Sequence, residues 1–231
     1  MKKILVFVCV LFCLTVFLSA CDTNDSGNTQ GQQSAAPLPP PEPDGGPFGV
    51  DVNININTVD DFLGRPDVTY IDVRMLYDPA DFEAIGGISA LTRTLPGYRI
   101  VPFPFLGTLS AMPVANAYEG VTLFDIIWGE GHAILEAVPN YAESEIILSQ
   151  LFPKDRVIFL MCGGGGYSAL TRALLVNQGW DEGKIYNTGG NWHYDGNMSL
   201  DLTISNTDSN IATWRANYAF IEFEHLRPLA P

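Results

Sequence analysis

Apolar and polar positions recur with two different periods along the chain after residue 49. Arg156 to Met161 (RVIFLM) is an almost continuous apolar run rich in β-branched and aromatic residues. That is the composition of a strand buried on both faces of a parallel sheet. Val68 to Val73 (VTYIDV) is a second run of this kind, and Val50 to Ile56 (VDVNINI) alternates strictly, as a half-buried strand does. Arg99 to Phe103 (RIVPF) is weakened by its proline, and Lys184 to Thr188 (KIYNT) completes a set of five. Helical spacing lies between them. Ser168 to Gly179 (SALTRALLVNQG) places Leu170, Ala173 and Leu174 on one face and closes on a glycine. Asp78 to Ile85 (DPADFEAI) reads as a shorter helix, and Thr58 stands where a helix cap would follow the first strand. The alternation predicts an α/β domain over residues 50–231: five mainly parallel strands, flanked by helices on both faces.

Two stretches exceed that minimal sheet. Residues 106–141 form an insert in which LFDIIWGEGHAILEAV (Leu123 to Val138) is expected to be helical on both sides of Gly-Glu-Gly. Residues 195–231 form a C-terminal extension, a polar loop followed by YAFIEFEHL (Tyr218 to Leu226), expected as an extra strand.

The N-terminal end has a different character. Met1 to Cys21 reads MKKILVFVCVLFCLTVFLSAC: two lysines, a long apolar run, then small residues before a cysteine. This predicts a secretory signal over residues 1–20. Leu18-Ser19-Ala20-Cys21 resembles the lipobox of bacterial lipoproteins, which implies cleavage before Cys21 and a lipid on its sulfur. An uncleaved anchor helix is the alternative. Either reading holds the protein at a membrane, facing the periplasm or the cell exterior. Asp22 to Gly49 is polar and then proline-rich, with too few large apolar residues to form a core, so it is expected to be a flexible tether.

Charge and cysteines then narrow the chemistry. Loss of Lys2 and Lys3 with the signal takes the formal net charge from −14 to −16. So acidic a chain repels nucleic acid, and that class of partner is excluded. Cys9 and Cys13 leave with the signal and Cys21 carries lipid, so Cys162 is the single free thiol of the processed chain. An odd thiol in an exported protein is either a reactive group or a small buried hydrophobe.

The surroundings of Cys162 favour reactivity. It ends the central strand and precedes four consecutive glycines, Gly163 to Gly166, then Tyr167, Ser168 and a helix. Glycines let successive N–H groups curl toward one point, and with the first turn of the helix they form a nest for negative charge. A thiolate is stabilised there. A nucleotide loop does not fit, because the Gly-Lys-Ser/Thr ending is replaced by Gly166-Tyr167-Ser168.

Taken in order, YIDVR (Tyr70 to Arg74), the loop opened by Cys162 and YNTGGNW (Tyr186 to Trp192) resemble the rhodanese-like sulfurtransferase domain. The resemblance spans about residues 50–196 and implies a five-stranded parallel sheet. It implies that Cys162 is the nucleophile that takes a sulfane sulfur as a persulfide. Gly163, Gly164, Gly165, Gly166, Tyr167 and Ser168 then match the loop around that persulfide. Asp72 and Arg74 match a structural Asp-x-Arg, read here as an ion pair or cap at a strand end. The implied partners are a small sulfur donor or a protein thiol acceptor, and no cofactor is expected. His132 and His225 have no metal-ligand spacing with each other or with Cys162, so no metal is predicted.

The sequence also departs from the family. Gly163 and Tyr167 replace positions that are often basic, which weighs against a dianionic donor such as thiosulfate. The Gly-His-Ile-Pro-Gly-Ala segment is eroded to IGGISA (Ile85 to Ala90). A cysteine phosphatase would need arginine six residues after the cysteine, where Ser168 stands. Trp192 and His193, after the last strand, are candidate pocket walls, with core packing for Trp192 and a surface position for His193 as alternatives. A rhodanese-like fold used only for docking remains the competing function.

Overall fold

Val157 to Cys162 is the strand on which the domain is assembled, because both of its faces find apolar partners. Ile158, Leu160 and Cys162 enter one core, and Phe159 and Met161 enter the other. The computed structural model describes residues 36–74, 93–109, 120–201, 219 and 221–229. In chain order its elements are β1 (Val68–Asp72), β2 (Arg93–Thr94), β3 (Arg99–Ile100), the one-turn helix α1 (Phe103–Leu106), β4 (Phe124–Trp128) and β5 (Ile134–Pro139). There follow α2 (Ser144–Leu151), β6 (Val157–Cys162), α3 (Gly166–Asn177), β7 (Ile185–Gly190) and β8 (Leu200–Asp201). Four strands, in the order β3-β1-β6-β7, make a wholly parallel sheet. The fold is therefore α/β, a four-stranded parallel sheet flanked by helices.

The two long helices lie on the same side. Leu148 and Leu151 of α2 and Leu170, Leu174 and Leu175 of α3 bury against Ile71, Ile158, Leu160 and Ile185. Each such side chain contributes about 1.5–3 kcal/mol on burial. Gly179, at φ +88°, ends α3 by a left-handed turn, and Trp180 then donates its ring N–H to the Phe152 carbonyl at 2.8 Å. On the other side, Ile54, Ile56 and Val59 pack on Val68, Tyr70, Phe159, Met161 and Tyr186. Among the described residues this second face is covered by turns and one 3₁₀ turn (Val59–Phe62), where helices were expected.

The expected first strand, Val50 to Ile56, is not a strand. The Asp51 N–H donates to the Asn187 carbonyl at 2.8 Å beside β7, and the extension ends there. The Asp51 carboxylate then accepts from the N–H groups of Asn53 (2.9 Å) and Ile54 (2.6 Å), curling the chain into a turn. The polar members of the alternating pattern are Asp and Asn, which bond locally to the backbone in competition with a strand ladder. Thr58 does precede the 3₁₀ turn, but its hydroxyl donates back to the Asn53 carbonyl and caps nothing.

Packing begins before Val50. Glu42 donates its N–H to Asp51 Oδ2 at 2.6 Å, Val52 donates to the Glu42 carbonyl at 2.9 Å, and the Tyr186 hydroxyl donates to the Pro39 carbonyl. The stretch expected as tether up to Gly49 therefore joins the domain from Pro37. Prolines hold it extended while Asp51 supplies acceptors.

The insert is corrected more fundamentally. The residues around Gly-Glu-Gly form the antiparallel hairpin β4–β5, pairing Asp125 with Val138 and Ile127 with Glu136. Burial alternates with period two along β4, Phe124 and Ile126 inside and Asp125 and Ile127 outside. Gly131 takes φ +62° in the connection, a conformation glycine adopts without steric penalty. Where the extra strand was expected, over residues 218–226, the described residues show the Ala219 N–H donating to the Ile100 carbonyl at 2.8 Å and then a 3₁₀ turn at Phe223–His225, while Tyr218 and Phe220 lie outside them. The signal over residues 1–20, Cys21, the helix at 78–85 and the segment at 85–90 lie outside the described residues.

Candidate functional site around Cys162

The C-terminal ends of the parallel strands bring Asp72, Cys162 and Gly190 to one edge of the sheet. Cys162 is the last residue of β6 and is 2 % exposed. Its Sγ accepts a hydrogen bond from the Gly165 N–H at 3.0 Å. Gly165 is the N-cap of the twelve-residue helix α3 and has φ +97°, so the turn that aims this N–H at the sulfur requires a left-handed residue. A helix N-terminus carries partial positive charge, which suits a sulfur anion.

The rest of the loop is held by close backbone approach. A Cβ on Gly190 would lie 2.0 Å from the Gly163 carbonyl oxygen. One on Gly163 would lie 2.6 Å from the Trp192 indole. Trp192 donates its backbone N–H to the Gly163 carbonyl at 3.1 Å and lays its ring along Gly163 and Gly164, leaving the residue 56 % exposed. His193 follows it in a 3₁₀ turn and is exposed to solvent.

Tyr167 and Ser168 occupy the first turn of α3 in opposite ways. Tyr167 stacks on Phe103, ring centroids 5.9 Å apart, and so packs its side chain on the core beneath α3. Ser168 is fully buried, and its Oγ has no hydrogen-bond partner. It lies in the first turn of α3, whose N-cap N–H, that of Gly165, meets Cys162 Sγ.

Asp72 and Arg74 form a buried pair beside the sulfur loop. The Arg74 Nε donates to both carboxylate oxygens at 2.8 and 3.0 Å, and Nη1 donates to Asn191 Oδ1 at 3.2 Å. Its Nη2 donates to Asp72 and to the Arg93 carbonyl, and the Thr94 hydroxyl donates to Asp72 Oδ2 at 3.1 Å. The pair ties the end of β1 to β2 and to the turn after β7. Every donor nitrogen of the guanidinium is engaged within the protein.

Two contributors were not singled out from the sequence. Asn187 Nδ2 donates to the Phe48 carbonyl (2.8 Å) and the Gly165 carbonyl (3.1 Å), strapping the chain before Val50 onto the cysteine loop. Phe48 answers by packing its ring on Gly165 and Gly166. The Asn-Thr-Gly-Gly-Asn spelling of residues 187–191 was the available signal, since Asn beside Gly marks turns whose side chains bond the backbone.

A cavity of about 500 Å³ lies elsewhere, on the outer face of α3 between Phe48, Ile134, Ala169, Arg172 and Ala173. Arg172 pairs with Glu182 there at 2.7 Å. None of its lining residues belongs to the loop from Cys162 to Gly165, although Phe48 packs on Gly165 and Ala169 donates its N–H to the Gly165 carbonyl at 3.0 Å. Among the described residues no cluster of His, Cys, Asp and Glu could hold a metal ion, and no helix is long and apolar enough to cross a membrane. Comparison with protein-family models, with curated proteins and with solved structures yields no match.

Proposed function

We propose that this chain is a rhodanese-like sulfur carrier, tethered outside the cytoplasm by a lipid on Cys21, with Cys162 as its nucleophile. The observation that carries the reading is the placing of Cys162 Sγ at the N-cap of α3, on the Gly165 N–H, with the unpartnered Ser168 hydroxyl in the same helical turn. The thiolate attacks the outer sulfur of a hydropersulfide, R–S–SH. A bond forms between Sγ and that sulfur, the donor S–S bond breaks, and RS⁻ departs and takes a proton from water. The product is Cys162–S–SH, whose terminal sulfur is passed to an acceptor nucleophile. The four parallel strands support the family reading, with Asp51 beside β7 standing where a fifth strand would run.

Full-length protein incubated with a low-molecular-weight hydropersulfide is expected to gain the mass of one sulfur atom, and Cys162→Ser to gain none. Equal gain by the variant refutes the assignment. One observation favours a second reading, a docking module in which the thiol is only packing: Cys162 is 2 % exposed. A folded wild-type protein that resists both sulfur donors and alkylating reagents supports that alternative.

A further inference from the structure

The donor, we infer, is a hydropersulfide whose carbon group is cationic or neutral and apolar, recognised by the exposed face of Trp192. This rests on the sulfur-transfer reading above and adds the substrate class. Trp192 is 56 % exposed, although an indole is ordinarily among the most buried side chains. It is fixed outward from two sides. Its backbone N–H is bonded to the Gly163 carbonyl, and one face of its ring lies on Gly163 and Gly164, so close to Gly163 that a Cβ there would collide with it. The indole is thus built into the rim of the loop that begins at the nucleophile, and it offers its other face to whatever approaches.

The charges point the same way. Arg65, Lys154, Arg156 and Lys184 all precede strands of the sheet, at the edge opposite Cys162. Arg74 is on the cysteine side, but every donor nitrogen of its guanidinium is spent within the protein. Arg93 lies across that pair, at β2. A dianion entering at Trp192 meets the negative face of an indole and a chain of net charge −14, whereas a cation or an apolar group is attracted to that face. The sulfur-transfer step is unchanged: the donor S–S bond breaks, Cys162 keeps the outer sulfur, and the carbon-bearing thiolate leaves past the indole.

The test compares sulfur loading of the full-length protein by four donors: 2-aminoethyl hydropersulfide, benzyl hydropersulfide, 2-carboxyethyl hydropersulfide and thiosulfate. Loading is followed by intact mass. The first two are expected to load about tenfold faster than the last two. Trp192→Leu should reduce that preference about three- to tenfold, and Trp192→Phe should keep most of it. Equal or faster loading by the carboxylate donor or thiosulfate overturns the donor class. A preference that disappears in molar salt and ignores Trp192→Leu also overturns it, because net charge alone would then be responsible. No loading by any donor, with the protein folded and the thiol reduced, contradicts sulfur transfer itself. Loading without selectivity contradicts only the donor class.

Discussion

Ser168→Ala should stabilise the empty protein and, on the sulfur-carrier reading proposed above, shorten the life of the loaded form. The Ser168 hydroxyl is fully buried and makes no hydrogen bond. A buried hydroxyl without a partner costs about 1–3 kcal/mol relative to one in water. Alanine removes that burden and is the better helix former by a few tenths of a kcal/mol, a small gain on the first turn of α3. The vacated volume is that of one oxygen atom. Its dispersion attraction to the surrounding atoms, at about 0.1–0.2 kcal/mol for each atom pair, sums to less than about 1 kcal/mol. The balance favours the variant by about 1 kcal/mol, or roughly 2–4 °C in Tm for a domain of this size. Calorimetry on the reduced proteins measures this directly. On the sulfur-carrier reading proposed above, the added sulfur would give the hydroxyl an acceptor, so loading should raise the wild-type Tm by more than that of Ser168→Ala. A variant at least 1 kcal/mol less stable than wild type when empty would refute the reasoning, because the hydroxyl would then already be satisfied without the sulfur.

Further outcomes follow from the same geometry. Gly190→Ala puts a Cβ 2.0 Å from the Gly163 carbonyl oxygen and should destabilise the domain by about 3 kcal/mol or more in chemical denaturation; a near-neutral effect would mean the loop is free to move aside. Arg74→Met leaves the fully buried Asp72 carboxylate without its partner and should cost about 3–5 kcal/mol, most of which the double variant Asp72→Leu/Arg74→Met should recover. Burial holds the Tyr98 phenol well above its ordinary pKa of 10.0. The folded state therefore keeps a proton that the unfolded chain gives up, so this contribution is complete below about pH 10 and is lost as the pH rises beyond it. Urea midpoints from about pH 9 to pH 11 should fall for wild type and fall less steeply for Tyr98→Phe; parallel slopes would contradict the assignment.

The sheet was legible in the sequence wherever apolar runs were long enough to be buried on both faces. β6 and β1 were placed within a residue of their ends, and the helix after the glycines was placed with the glycine turn that closes it. Reading failed where two periods competed. In LFDIIW the buried positions Phe124 and Ile126 are two apart, yet the apolar Ile127 and Trp128 fill in the gaps and imitate a helical stripe. In VDVNINI the alternation was genuine, but the Asp51 carboxylate closes a turn on Asn53 and Ile54 that a hydropathy pattern does not register. At the site, Cys162, the glycines, Ser168, Asp72, Arg74 and Trp192 were all visible as residue types. Asn187 stood in an Asn-Thr-Gly-Gly-Asn spelling that signals a turn, but its strapping of residue 48 onto the loop was not legible, because its partners are backbone carbonyls far away in sequence. That Tyr167 packs onto Phe103 could not be read from spacing either, since it depends on where α1 sits.

The central claim is that Cys162 holds a sulfane sulfur and gives it back. Full-length protein loaded with a hydropersulfide, freed of excess donor and treated with cyanide should release one thiocyanate per chain and return to its starting mass, while Cys162→Ser taken through the same steps should release none. A folded wild-type protein that yields no thiocyanate, or a variant that yields as much, would contradict the account.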